Sequence, residues 1–563
     1  MSEELKPPAI HFYPAGCYFK SIDDIAGKRV TVMGLGLNGG GEATVRFLLN
    51  HGAFVIATDM KSESDLQTTV DSLNNDENLD KSRLTYRLGE HRLEDFETAD
   101  CVIKNPGVKY DGNKFLAAAK NIETDISLFL AFSKAPIIAV TGSKGKSSTV
   151  SAIYYGLRQS GFNAFLGGNI TVSPLTFLDQ TDETTPVVLE LSSWQLADLR
   201  GRRLLKPKVS IITKIIPDHQ NFYHSMLAYV NDKKLIYADQ TKKDFAIFDF
   251  DSDPAADGGT LIENWGDIFA KECKATVLRY SKKPLPEGVL GVWQDKKGVG
   301  KARLSTKILD SLPQDYEKTT ETVLKDLIVP GKHMRQNVLN AALVLRIMGV
   351  SPKRIIEVLG RWNGIEHRLE FFHECKIGTT TFRFYNDSAA TVPEASTEAT
   401  QAFGKPVYFL TGGTDKGLDL SPIAAGISDN GRNIVPRAVY LLKGSATDKM
   451  IPDFKKEGIP YKGVFASIDE MLAALKSDLE NAVAGQDNAV VEPVETTQSG
   501  HFDKLNDQMV VERVETTATS HSDKRNDNVQ IVVFSPGATS FGMFKNEFDR
   551  GNKFKKTTKE IFV

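Results

Sequence analysis

The run Val140-Thr141-Gly142-Ser143-Lys144-Gly145-Lys146-Ser147-Ser148 combines residue types suited to holding phosphate. Glycines let backbone N–H groups approach phosphate oxygens, and a helix N-terminus directly after the loop adds partial positive charge. Lys146 can reach the terminal phosphates of a nucleotide, and the Ser147 hydroxyl can ligate Mg2+. Gly142, Ser143, Lys144, Gly145, Lys146, Ser147 and Ser148 are therefore the candidate ATP-binding residues, with Lys146 also a catalytic candidate. Gly142 stands four residues before Lys146, closer than in the common G-x-x-x-x-G-K-[ST] form. Such a loop works only between a strand and a helix. Pro136-Ile137-Ile138-Ala139-Val140 reads as a buried strand and Thr149 to Leu157 as a helix.

Further along, apolar runs end in polar residues suited to chemistry, as expected where the carboxyl ends of parallel strands form a ligand crevice. Val187-Val188-Leu189 leads into Glu190, a hard-oxygen candidate for Mg2+ beside Ser147. Val209-Ser210-Ile211-Ile212-Thr213 leads towards Pro217-Asp218-His219. By its chemistry alone His219 reads as a hydrogen-bonded turn histidine, since imidazole is an unusual Mg2+ ligand. Lys233, within Tyr229 to Tyr237 on an expected helix, reads by composition as a solvated lysine.

The amino-terminal stretch carries a second glycine turn, Gly34-Leu35-Gly36-Leu37-Asn38-Gly39, between the strand Arg29 to Met33 and a helix from Glu42 to Asn50. The next strand, Ala53 to Asp59, ends in an acid. A helix N-terminus offered to a diphosphate, with an acid for a sugar hydroxyl, fits NAD, and UDP-sugars present the same groups. Both remain open on these residues alone. Cys101 to Lys104, followed by Asn105-Pro106-Gly107, reads as a later strand and turn.

The chain has 563 residues, too many for one core, and a net charge of -3, which gives no case for nucleic acid or an anionic membrane as partner. No apolar run approaches a membrane span, and Met1 to Pro8 lacks a signal-peptide core. The cysteines, Cys17, Cys101, Cys273 and Cys375, are far apart, so neither a zinc site nor a disulfide framework is expected and a cytoplasmic location is. The fold class is α/β in three domains. Residues 1–130 form a Rossmann-like domain, 131–364 a central P-loop ATPase-like domain on a mixed sheet, and 365–563 a second Rossmann-like domain. The last rests on strands at Phe382 to Tyr385, Val407 to Leu410, Ala438 to Leu442 and Ile531 to Phe534, with a helix at Ile468 to Glu480. Residues 250–330 read as irregular or as outlying strands. Val490 to Thr497 recurs as Val510 to Thr517. Two polar copies cannot make a solenoid, so about 488–527 reads as a disordered insertion.

The loop Thr141 to Ser148 resembles the T-G-[ST]-x-G-K-[ST]-[ST] loop of the Mur ligases, ATP-dependent enzymes that build the peptide stem of the bacterial cell wall. The similarity extends over nearly the whole chain. It includes Lys104-Asn105-Pro106-Gly107, Gly167-Gly168-Asn169-Ile170, Glu190 to Leu196, Glu366-His367-Arg368-Leu369-Glu370, Asn386-Asp387-Ser388, Ser535 to Phe541, Phe544-Lys545-Asn546 and Arg550-Gly551. The resemblance implies ligation of D-glutamate to UDP-N-acetylmuramoyl-L-alanine through an acyl phosphate, with ATP and two Mg2+ ions, by a monomer without nucleic-acid partners or membrane insertion. It implies UDP rather than NAD in the first domain, with Leu37, Asn38, Asp59, Lys61, Asn105 and Gly107 on the uridine substrate. Asn169, Ser192 and Gln195 match substrate-side positions. The lysine matching Lys233 is carbamylated in this family, which makes Lys233 a metal ligand together with His219, Glu190 and Ser147 and places Lys233 and His219 among the catalytic residues. Asn337, Asn340, His367, Arg368 and Asp387 match ATP contacts, and Thr391, Lys416, Ser540 and Phe541 the glutamate pocket. Two positions depart from the pattern. Ala389 stands where a lysine is usual, and after Lys545-Asn546, where an aromatic usually comes soon, Glu547 stands first and Phe548 follows. Ligation of L-glutamate or another amino acid, a folylpolyglutamate-type ligase and a non-catalytic UDP-sugar-binding regulator are the alternatives. Intact Lys146, Ser147, Glu190, His219 and Lys233 argue against the last.

Overall fold

Short apolar runs such as Ile137–Thr141, Val187–Glu190 and Val209–Ile212 are buried at every position, the pattern of parallel strands covered by helices on both faces. In the computed structural model, which describes residues 7–37, 39–170, 172–251, 264–313, 315–316, 318–487 and 528–563, such runs assemble into three sheets. Asn38 and the repeat at 488–527 lie outside the described residues. The chain divides into two compact units, Met1–Trp362 and Asn363–Val563.

The first unit holds two sheets. β1 (Arg29–Met33), β2 (Phe54–Asp59), β3 (Leu84–Leu88), β4 (Cys101–Lys104) and β5 (Ile122–Glu123) form an all-parallel sheet in the order β3-β2-β1-β4-β5. The second sheet contains β6 (Ile137–Thr141), β7 (Phe165–Gly168), β8 (Val187–Glu190), β9 (Val209–Ile212), β10 (Phe245–Asp249), β11 (Thr276–Ser281), β12 (Gly291–Gln294), β13 (Gly300–Arg303) and β14 (Thr320–Leu324). Its order is β14-β13-β12-β11-β10-β9-β6-β8-β7, parallel from β7 through β12 and antiparallel at β13 and β14. The strands from 276 to 324 are thus the outlying edge of this sheet. One apolar core runs through both sheets, from Val32 and Leu48 to Phe177, Leu189 and Ile212. Two buried ion pairs cross the same boundary, Lys104–Asp198 at 2.8 Å and Arg202–Glu123 at 2.8 Å.

The second unit has one sheet, made of β15 (Glu370–Ile377), β16 (Thr380–Asn386), β17 (Tyr408–Gly412), β18 (Ala438–Leu442), β19 (Lys462–Phe465) and β20 (Val529–Phe534), in the order β15-β16-β20-β17-β18-β19. Only the β15–β16 pair is antiparallel. β20, the last strand in sequence, fills the centre of the sheet.

The helix after the phosphate loop begins at Lys146 rather than Thr149 and ends at Gln159. Gly145, at φ +92°, makes the left-handed turn that lets the helix start there. The helix at Ile468 extends to Asp487. β15 went unread because Glu370-Phe371-Phe372-His373-Glu374-Cys375-Lys376-Ile377 lacks a continuous apolar run, and it is an edge strand. Among the described residues, no helix is long and apolar enough to cross a membrane.

Candidate active site

β6 delivers the phosphate loop from the middle of its sheet, between β8 and β9. The loop is tightly enclosed. A Cβ on Gly142, at φ +142°, would lie 1.9 Å from Thr213 Oγ1, and one on Gly145 would lie 2.6 Å from Asn337 Oδ1. Thr213 follows β9, and Asn337 belongs to the Lys332–Ile347 helix packed along the Lys146–Gln159 helix. Ser143 Oγ bridges Ile216 O at 2.8 Å and Tyr229 Oη at 3.0 Å. Ser147 and Ser148 occupy the first helical turn, and Lys144 points outward with Nζ 3.7 Å from Asp218 Oδ2.

Two lysines converge on this loop from different elements. Lys146 folds back, its Nζ donating to Gly142 O at 3.0 Å and Ser143 O at 3.1 Å. Lys233, on the Met226–Lys234 helix, is buried and donates to the same Gly142 O at 2.9 Å and to Thr141 Oγ1 at 3.4 Å. Its ammonium also lies 4.6 Å from the Tyr229 ring centroid. Burial first, and the Lys146 charge second, push the Lys233 amine down to about 7. Burial likewise lowers Lys146, against the opposing pull of Glu190 and Asp218. Lys233 is therefore not the solvated lysine its composition suggested. It is a neutralisable amine set into the phosphate site.

Glu190 closes β8 beside this pair. Asn169 Nδ2 donates to its Oε1 at 2.9 Å, while Oε2 is buried with no hydrogen-bond partner. An orphaned buried carboxylate oxygen at a phosphate loop fits a hard cation. Among the described residues no cluster of three or more His, Cys, Asp or Glu side chains could hold a metal, so protein carboxylates and imidazoles alone do not complete a site here. His219, at φ +52°, starts the short Gln220–Tyr223 helix, with its ring 5.1 Å from Trp194 and 6.3 Å from Tyr229. Ser192 and Gln195 form a reciprocal cap on the Ser193–Ala197 helix: Ser192 Oγ accepts from Gln195 N at 3.2 Å and Gln195 Oε1 from Ser192 N at 3.0 Å. Asn340 is buried on the same helix as Asn337, and its Oδ1 has no hydrogen-bond partner.

At the carboxyl end of the first sheet, Asp59 holds the glycine turn. Its Oδ2 accepts from Gly36 N at 2.9 Å and its Oδ1 from Lys61 N at 3.0 Å. Asn105 packs against Gly34, where a Cβ would come within 2.8 Å, and its Oδ1 accepts from Gly107 N at 3.0 Å. Leu37 and Lys61 are exposed. The chain folding thus brings Leu37, Asp59, Lys61, Asn105 and Gly107 to one sheet end.

The second unit gathers the remaining candidates by itself. His367 and Leu369 adopt left-handed φ of 62° and 45°, an uncommon strain for non-glycine residues, on either side of Arg368. Glu370 Oε2 accepts from His367 N at 3.0 Å, and Asp387 Oδ1 from Leu369 N at 3.1 Å. Asp387 Oδ2 accepts from Ser535 Oγ at 2.6 Å, yet burial pushes its carboxyl up to about 7. Lys416 Nζ donates to Thr391 Oγ1 at 3.3 Å. Ser540 is buried and Phe541 is exposed, on the loop whose Thr539 pairs with Thr414. Arg550 is fully buried and donates to Ser388 Oγ and O and to Ala538 O and Thr539 O at 2.8 to 3.0 Å, tying these loops together. Tyr229 takes part in the site through Ser143 without having signalled it in the sequence, because it reads there as an ordinary helix residue.

A strand–loop–helix phosphate cradle with two lysines on one carbonyl, and beside it a carboxylate with one unpartnered oxygen, defines a nucleotide-using enzyme class of the α/β type. Residues 140–345 match the family model described as Mur ligase middle domain. The chain is 35 % identical to the UDP-N-acetylmuramoylalanine--D-glutamate ligase of Treponema pallidum (strain Nichols), over 96 % of this chain and 98 % of that one. It is 35 % identical to the protein of the same name from Borreliella afzelii (strain PKo), over 95 % and 98 %. Against that of Roseiflexus sp. (strain RS-1) the identity is 32 %, over 94 % and 98 %. The chain belongs to the Mur ligase family.

Proposed function

We propose that this chain joins D-glutamate to UDP-N-acetylmuramoyl-L-alanine at the expense of ATP, releasing ADP and phosphate, as a step in peptidoglycan precursor synthesis. The observation that carries the reading is the full-length similarity to ligases of that name, over a chain whose phosphate loop, Glu190 and Lys233 meet in one place. The segments divide the work: 1–130 takes the uridine diphosphate end, 131–364 the nucleotide, and 365–563 the amino acid.

A carboxylate resists attack by an amine, so the substrate carboxylate first takes the terminal phosphoryl group of ATP and becomes an acyl phosphate. The amino group of glutamate then attacks the acyl carbon and phosphate leaves. The loop N–H groups and Lys146 neutralise charge on the transferring phosphoryl group. Lys146 is released from Gly142 O and Ser143 O when phosphate oxygens replace them as acceptors. Ser147, Glu190, His219 and a carbamylated Lys233 would hold Mg2+, which supplies further charge neutralisation at that group. The depressed Lys233 amine supports the modification, because only a neutral amine adds carbon dioxide. Asn337, Asn340, His367, Arg368 and Asp387 serve the nucleotide. Leu37, Asn38, Asp59, Lys61, Asn105, Gly107, Asn169, Ser192 and Gln195 serve the uridine substrate, and Thr391, Lys416, Ser540 and Phe541 the amino acid.

Ala389 and Glu547 favour one second reading, a different amino acid as acceptor, since both depart from the family pattern on the acceptor side. Phosphate release measured with UDP-N-acetylmuramoyl-L-alanine, ATP and a panel of D- and L-amino acids decides between them. Turnover is expected with D-glutamate alone, and to be lost in Lys146→Ala at an unchanged melting temperature. Turnover with another amino acid at D-glutamate's expense selects the second reading, and near-normal turnover of Lys146→Ala removes the phosphate-loop assignment.

A further inference from the structure

The first unit contains a cavity of about 380 Å3 that shares only Gly107 with the substrate and nucleotide residues proposed above. One wall is an amino-terminal arm, Pro8 to Tyr13, and this arm is seated rather than draped. Tyr13 N donates to Arg200 O at 2.9 Å and Gly16 N to Arg202 O at 2.7 Å. Gly201, at φ +86°, leaves room for Tyr13 O, which would lie 2.6 Å from a Cβ there. The His11 ring stacks on Tyr110 at 3.7 Å. The opposite walls are the Ser193–Ala197 and Met226–Lys234 helices.

The lining is aromatic, with His11, Tyr13, Tyr110, Trp194, Phe222 and Tyr223 all facing it. Its deeper charges are already matched. Lys104 pairs with Asp198, which also accepts from Tyr13 Oη at 3.2 Å. Arg200 pairs with Asp232, which accepts from Tyr223 Oη at 2.8 Å. At the mouth, Asp111 accepts from Ala9 N at 3.3 Å. Lys109 is different: it is exposed, and its ammonium rests 4.6 Å from the Phe222 ring centroid. A cation held at an exposed ring face is weakly bound, worth about 0.5–1 kcal/mol, and yields to an anion. Volumes of this size accept small organic molecules, whose rings gain by stacking and edge contacts with aromatic walls.

We propose that this cavity is a second small-molecule site, for a planar aromatic anion of one or two rings, whose charge draws Lys109 off Phe222. Trp194 and Asp232 put the occupant against the helices that carry Gln195 and Lys233, so the site stands where an effector could bear on the catalytic elements.

Calorimetric titration of the full chain with indole-3-acetate, indole and tryptamine tests this, because the three share a ring and differ in charge. Indole-3-acetate is expected to bind at least about tenfold more tightly than tryptamine, with indole between them. Lys109→Met, a surface change, should erase the preference for the anion. Ala228→Trp, which fills the cavity from its helix wall, should abolish binding of all three at an unchanged melting temperature. No binding of indole-3-acetate at millimolar concentration overturns the proposal. So does binding of tryptamine as tight as that of indole-3-acetate, or an anion preference that survives Lys109→Met. If Ala228→Trp does not fold, the Lys109→Met comparison decides alone.

Discussion

Lys233 concentrates the chemistry of the site in one atom. Its ammonium would be costly in a pocket that already holds Lys146, so burial favours the neutral amine and sets its midpoint near 7. The folded-state value lies below the unfolded one. The stability this burial allows is therefore present above the ordinary lysine range and is lost as pH falls through about 7. The same titration would govern the proposed carbamylation. Assayed at fixed dissolved carbon dioxide, ligase activity should fall below pH 7 by up to about a hundredfold per pH unit, because forming the carbamate anion from the ammonium releases two protons. Mass spectrometry should show the gain of one carbon dioxide at Lys233, diminishing over that range. Lys233→Ala should be nearly inactive and partly recovered by a short carboxylic acid in the buffer. An unmodified Lys233 in a fully active enzyme would refute the assignment.

At the scale of elements, the phosphate loop works because β6, β9 and the Lys332–Ile347 helix leave it only the space that glycine needs. Gly142→Ala would drive a methyl into Thr213 Oγ1, at a position with φ +142°. The strain costs about 1–3 kcal/mol, and relief requires the loop to move off its phosphate-binding form. Calorimetric titration with ATP should show a loss of affinity of about tenfold or more, together with a lower melting temperature. Gly36→Ala meets no neighbouring atom, so its cost is confined to the strain of φ +61° and should be smaller by the same melting measurement. The Arg202–Glu123 pair is a second element-scale device. Arg202 also donates to Ile122 O at 2.5 Å and Asp198 O at 2.8 Å, locking β5 to the segment after the Ser193–Ala197 helix. Arg202→Met should destabilise the protein by about 3–5 kcal/mol, because it leaves Glu123 buried without its cation. Arg202→Met with Glu123→Gln should recover much of that loss in chemical denaturation.

Over the whole molecule, two compact units join at 362/363 in sequence; the catalytic candidates Lys146, His219 and Lys233 all belong to the first, and Thr391, Lys416, Ser540 and Phe541 to the second. The 488–527 repeat is spliced into the second unit, between the Ile468–Asp487 helix and β20. The sheet still needs β20 at its centre, between β16 and β17. The repeat is polar and contributes few large apolar side chains, and loop-closure entropy changes slowly with length. Deleting 488–527 should leave expression, the melting temperature and phosphate release nearly unchanged. Loss of solubility or of turnover in the deletion variant would show that the repeat is part of the working protein.

Neighbouring residues suffice to specify the local elements and the class of chemistry. Fully apolar runs announce parallel strands, and glycines next to Lys146 and Ser147 announce a phosphate loop, because both signals are carried by neighbouring residues. The alternation of strand and helix likewise predicted α/β architecture, and the sheets have that form. Lys233 could not be singled out by its neighbours, since depression of its amine comes from burial under Gly142 and proximity to Lys146, which lies far away along the chain. His219 and Tyr229 joined the site for the same reason, and Asp198 found Lys104 only across two sheets. The cavity beside the amino-terminal arm is still less legible, because its walls come from four separate segments. Periodicity and turn chemistry are local and survive in one dimension. Desolvation, ion pairing and enclosed volume depend on which distant residues meet, and that follows from the folding of the whole chain.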